Sequence, residues 1–86
     1  MIANYLSPFF WDVDAEHFEP QTYPHYTIAR LLEYGNPEAF SWLKEQFSEE
    51  MIKEVIRTER ALSPKSATFW GLVYRIPDDE IAALNG

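Results

Sequence analysis

Leu62-Ser63-Pro64-Lys65-Ser66-Ala67-Thr68-Phe69-Trp70-Gly71-Leu72-Val73-Tyr74-Arg75-Ile76-Pro77 is the stretch whose reading decides the fold. Ser63 suits a helix N-cap, and Pro64 suits the first helical position, where a missing N–H is no loss. Pro77 closes the segment, because a helix interior does not tolerate it. Between these ends Phe69, Trp70, Leu72, Val73, Tyr74 and Ile76 leave only Lys65, Thr68 and Arg75 as a polar edge. A helix apolar nearly all round is expected to be buried, so this one is predicted to be the central helix. Ala67 and Gly71, four apart, share a face on which another backbone can approach closely.

Working outward, the preceding segments carry helical punctuation of their own. From Pro24, Tyr26, Ile28, Ala29, Leu31 and Leu32 fit a helix ending at Tyr34, with Gly35 expected in the left-handed C-terminal conformation. Asn36-Pro37 restarts the chain as cap and first residue of a second helix, whose apolar side is Ala39, Phe40, Trp42, Leu43 and Phe47. Ser48 caps a third, with Glu49 and Glu50 in its first turn against the positive end of the helix dipole. Its stripe is Met51, Ile52, Val55, Ile56 and Leu62. Asp78 to Leu84 reads as a short terminal helix or tail.

Residues 1–23 lack a helical period. Tyr5, Leu6, Phe9, Phe10 and Trp11 cluster around Pro8, the acidic Asp12-Val13-Asp14-Ala15-Glu16 follows, and Pro20 and Pro24 interrupt the rest. An extended arm is expected, with a turn of helix near 14–18. Its aromatics are either a plug in the core or a docking surface for a partner. The reading is one all-α domain over 1–86: a compact bundle of four to five short helices (24–77) with an irregular aromatic N-terminal arm (1–23) and a tail (78–86).

Composition narrows the function classes. The 86 residues include no cysteine, which excludes disulfides and thiolate chemistry, while six Phe, five Tyr and three Trp supply core area. No leader and no bilayer-length apolar run is seen, so a cytoplasmic protein off the membrane is expected. The net charge is −7, and it is unevenly placed. Residues 1–56 carry three cations against ten acids, whereas 57–75 carry Arg57, Arg60, Lys65 and Arg75 against Glu59 alone. An acidic chain argues against general nucleic-acid affinity, which rests on neutralising phosphates.

Chemistry-bearing patterns are sparse. Asp12, Asp14 and Glu16 alternate like the start of a calcium loop, but His17 and Tyr23 stand where that loop needs Gly and Glu. His17 and His25 lack the helical spacing that aims two imidazoles at one metal. No nucleophile–base set and no phosphate-cradling glycine loop is present, so no catalytic residue, cofactor or metal site is assigned and enzyme activity is not expected. Residues 49–75 follow the outline of a helix-turn-helix, with Arg57, Arg60 and Lys65 as the DNA-contacting cations. Trp70, Leu72, Val73 and Tyr74 leave little polar surface for a groove, and the same cations also read as a solvated face or a patch for an acidic protein.

The ordered set Phe10-Trp11-Asp12, Leu32-Glu33-Tyr34-Gly35, Trp42-Leu43, Leu62-Ser63-Pro64-Lys65 and Phe69-Trp70 resembles a family of small uncharacterised bacterial proteins. The resemblance spans roughly residues 8–77. Members of that family are often encoded beside a nucleotidyltransferase-type toxin of the abortive-infection class and are regarded as its candidate antitoxins. The resemblance carries no catalytic residues and implies a role: a protein–protein interaction module that binds and restrains a neighbouring nucleotidyltransferase. An acidic domain can enter a cationic cleft by charge complementarity. Phe9 and Trp11 would then anchor the partner, with Asp12, Asp14, Glu16 and Glu19 steering it. The competing expectations are a helix-turn-helix-like DNA-binding regulator and a structural or homo-oligomeric subunit.

Overall fold

The computed structural model describes residues 2–14 and 17–85. The chain is an all-α bundle of α1 (Pro24–Tyr34), α2 (Pro37–Gln46), α3 (Glu49–Thr58) and α4 (Pro64–Tyr74). Short 3-10 turns precede them at Ser7–Phe9 and Pro20–Thr22 and follow them at Asp78–Glu80 and Ala82–Leu84, so the tail is two tight turns rather than a helix. No strand occurs among the described residues.

Local chemistry sets the helix starts. The side chains of Asn36, Ser48 and Ser63 accept from the N–H groups of Ala39, Met51 and Ser66, each three residues on. Each such bond satisfies one of the donors a helix start leaves open. Pro24, Pro37 and Pro64 occupy first helical positions.

The central helix is α1, not α4. Thr27, Ile28, Leu31 and Leu32 are buried along α1, and α2, α3, α4 and the arm all pack on it. Buried Thr27 is satisfied by donating its hydroxyl to the Pro20 carbonyl at 3.0 Å, which fastens the arm to α1. In α4 only Ala67 and Gly71 are buried. The expectation of a wholly buried α4 therefore fails. The side that docks is the small-residue side, because backbone closeness rather than side-chain bulk secures it. Ile81 fills the space over Gly71: a Cβ there would meet its Cδ1 at 2.7 Å. Phe69, Leu72 and Val73 consequently face away from the core, while Trp70 and Tyr74 pack half-buried against it.

Two smaller corrections share that origin. Gly35 is extended (φ −71°, ψ 175°) rather than left-handed, because Asn36 must cap α2 at once. The left-handed residue is Arg75 (φ 57°, ψ 43°), which ends α4. Its N–H bonds to the Leu72 carbonyl and that of Ile76 to the Gly71 carbonyl, the paired bonds of a Schellman ending. In α3, Ile52, Val55 and Ile56 are buried as expected, whereas Met51 is exposed.

From the arm, Ile2, Leu6 and Phe10 enter the core, and Phe9 packs half-buried against it. The arm's aromatics thus divide, with Phe10 acting as a plug and Trp11, 63% exposed, staying at the surface.

Candidate functional site

Two surfaces hold the residues that could serve a function. The first is where the arm meets α1. Tyr26, Arg30 and Tyr34 recur every fourth residue and so line one face of α1. The Arg30 guanidinium lies 4.5 Å from the Trp11 ring centroid and 4.9 Å from that of Tyr26. It donates to Asp12 Oδ2 at 2.6 Å, while the Tyr26 hydroxyl donates to Asp12 Oδ1 at 2.8 Å. The Trp11 and Tyr34 rings meet edge to face at 5.0 Å. Hydrogen bonds from Arg30 and then Tyr26 hold the Asp12 carboxyl below its ordinary range. Burial, followed by the bond to Asp12, pushes the Tyr26 hydroxyl up, so it stays a donor.

Beside this clasp lies a cavity of about 250 Å³ bordered by Trp11, Arg30, Glu33, Tyr34 and Glu59. Its acids are already engaged. Glu33 Oε1 accepts the Ser63 N–H at 2.8 Å, and Glu59 accepts the Ala61 N–H and pairs with His25 at 2.8 Å. These bonds tie the turn before α4 and the start of α1 together beside the clasp. No group of three or more His, Cys, Asp or Glu residues that could hold a metal occurs among the described residues.

The second surface is the outer side of α4. Phe69 is 55% exposed, Leu72 75% and Val73 50%. Phe69 and Val73 border a groove of about 380 Å³ between α4 and the α1–α2 junction, walled also by Leu31, Phe40 and Trp70 and floored by Gly35 to Pro37. Phe40 and Trp70 pack at a tilt with centroids 4.4 Å apart, and Trp70 meets Phe69 edge to face at 4.9 Å. The Trp70 indole donates to the Leu32 carbonyl at 2.8 Å, which fixes this aromatic wall to α1. Lys44 lies over the Phe40 ring at 5.1 Å.

A protein-family model matches residues 5–56, more than half of the chain. The chain belongs to DUF6922. This is a family of unknown function, and the matched stretch runs from the arm into α3 and stops short of α4. No curated protein and no solved structure matches.

In this DUF6922 chain the residues named from sequence are scattered. Phe9 is half-buried, and Asp12 is occupied by Arg30 and Tyr26. Asp14 pairs with His17 at 2.7 Å. Trp11 keeps an open edge, and Glu16 lies outside the described residues. Of the three cations named for DNA, Arg57 faces Glu80 at 3.7 Å, whereas Arg60 and Lys65 are exposed at the turn and first turn of α4. Beyond Lys65 the exposed residues of α4 are Thr68, Phe69, Leu72 and Val73, of which only Thr68 is polar. A helix that reads a groove needs polar side chains there.

Sequence reasoning missed Arg30, Tyr26 and Tyr34 as the arm's fastening and Phe69, Leu72 and Val73 as a surface. Both signals were in the spacing: the fourfold Tyr-Arg-Tyr repeat on α1, and the Ala67/Gly71 pair that marks the docking side of α4. Among the described residues, no helix is long and apolar enough to cross a membrane.

Proposed function

We propose that this chain is a protein-interaction module, not a catalyst, and that another folded chain packs on the outer face of α4. One observation carries the reading. Phe69, Leu72 and Val73 form a contiguous apolar ridge beside an aromatic groove, on a helix whose sequence is apolar on both sides but which is covered on one. Scattered surface apolar residues need no explanation, but a contiguous patch beside a groove is the usual mark of an interface. The restraint of a nucleotidyltransferase-type toxin that the resemblance implies is a role of this class. Asp12, paired with Arg30, contributes little to steering such a partner.

The test is site-specific photo-crosslinking in the source cells, with a photoreactive side chain in place of Leu72 or, as control, of Glu45. A discrete product from position 72, absent from position 45, is expected. Equal products from both positions, or none from either, would sink the reading.

A further inference from the structure

Resting on that reading, we propose that the partner presents an acidic amphipathic helix, whose apolar side seats in the groove between α4 and the α1–α2 junction. The groove takes its α2 side from Pro37 and Phe40 and its α4 side from Phe69 and Val73. Helical spacing puts Lys44 on the same face of α2 as Phe40, and Lys65 on the same face of α4 as Phe69. Each side of the groove therefore carries a lysine one turn from the residues that line it. The Lys44 ammonium reaches back to 5.1 Å from the Phe40 ring centroid, so charge and apolar wall adjoin.

Charge sets the sign of the partner. The chain has 14 acids against 7 Lys and Arg, yet Lys44 and Lys65 are exposed and neither forms an ion pair among the described residues. Lys53, by contrast, is paired with Glu49 and Glu50 of its own helix. Glu38 and Glu45 lie together on another side of α2, and Glu33 accepts the Ser63 N–H. An acidic segment gains charge pairs at the rim of the apolar contact, whereas a basic one meets two uncompensated lysines.

The backbone of the floor favours a helix over an extended segment. The Gly35 N–H donates to the Leu31 carbonyl, the Asn36 carbonyl accepts from the Phe40 N–H, and Pro37 has no N–H. These groups are not available to pair with a visiting strand. A helix satisfies its own backbone and needs only the side-chain contacts that the walls supply.

Selection of a random peptide library, displayed on phage, against the full chain tests this. Enriched peptides should carry large apolar residues at three- and four-residue spacing and more Asp and Glu than Lys and Arg. The leading peptide, synthesised with a fluorescent label, should bind more weakly as salt rises from about 0.05 M to about 0.5 M. Lys44→Glu and Lys65→Glu should each weaken it roughly three- to tenfold with unchanged melting temperature, since both side chains are exposed and unpaired. Val73→Glu, at a half-exposed position on the groove, should abolish binding while the variant still melts cooperatively. Enrichment of nothing, or of neutral or basic peptides, overturns the proposal. So does a peptide that binds Val73→Glu or both lysine variants as tightly as the wild type. A 10.1 kDa chain whose mass doubles with concentration in sedimentation, but not as Val73→Glu, assigns the groove to a second copy and overturns it too. If any of these failures comes with a crosslink from position 72 to another protein in cells, the acidic helix falls and the interaction-module reading stands. Failure with no crosslink removes both.

Discussion

The indole N–H of Trp70 donates to the carbonyl oxygen of Leu32 at 2.8 Å. Leu32 lies in the last turn of α1, where carbonyls have no partner within the helix. This bond therefore does two things: it satisfies an orphan acceptor on a buried residue, and it sets which side of α4 turns to α1. The apolar ridge of α4 faces outward as a consequence.

Replacing Trp70 with Phe keeps most of the apolar contact and deletes the donor. The expected loss is about 1–2 kcal/mol in chemical denaturation, the cost of leaving a buried carbonyl unsatisfied. Amide exchange in α4 should rise more than in α3, because α4 loses its tie to α1.

At Arg75 a residue with a Cβ holds left-handed backbone at a helix end. Arg75→Gly should raise stability by about 0.5–1 kcal/mol: relief of the steric strain is partly offset by the freedom glycine gains when unfolded. Arg75→Val should lower stability, since a β-branched residue is a poor fit there. Paired thermal melts decide the sign.

Gly35→Ala should destabilise by about 1–3 kcal/mol although its φ of −71° suits any residue. The added Cβ would lie 2.5 Å from the Leu31 carbonyl oxygen, which is backbone and cannot step aside. If urea titration finds Gly35→Ala neutral, the α1–α2 turn is looser than this geometry requires.

Asp12 makes stability depend on pH in a defined direction. Its carboxyl is held below the ordinary value near 3.8, chiefly by the hydrogen bond from Arg30. A depressed acid contributes stability that is fully present above its unfolded value and lost as pH falls through the folded one. The stability difference between wild type and Asp12→Asn should thus be constant at neutral pH and shrink below about pH 4. A difference that grows on acidification would contradict the clasp.

Much of the helical punctuation was legible before any fold was known. Asn36, Ser48 and Ser63 reach backbone N–H groups three residues ahead, and Pro24, Pro37 and Pro64 sit where helices start. The buried stripe of α3 was legible for a similar reason, since its charged and apolar residues segregate at helical spacing. The clasp was less so. The Tyr26-Arg30-Tyr34 repeat marks a face, but that Trp11 and Asp12 come to it depends on how the arm returns.

These local features were settled by the sequence itself because capping and helix starts involve only neighbouring residues. The facing of α4 was decided by tertiary structure. On a helix apolar on both sides, hydrophobicity cannot choose the inward side, and the choice fell to shape. Ala67 and Gly71 allow close approach, Ile81 packs over Gly71, and Trp70 bonds to Leu32. The same distinction governs the turns. Gly35 is extended because the Asn36 cap demands it, and Arg75 is left-handed because Ile76 must turn back into the core.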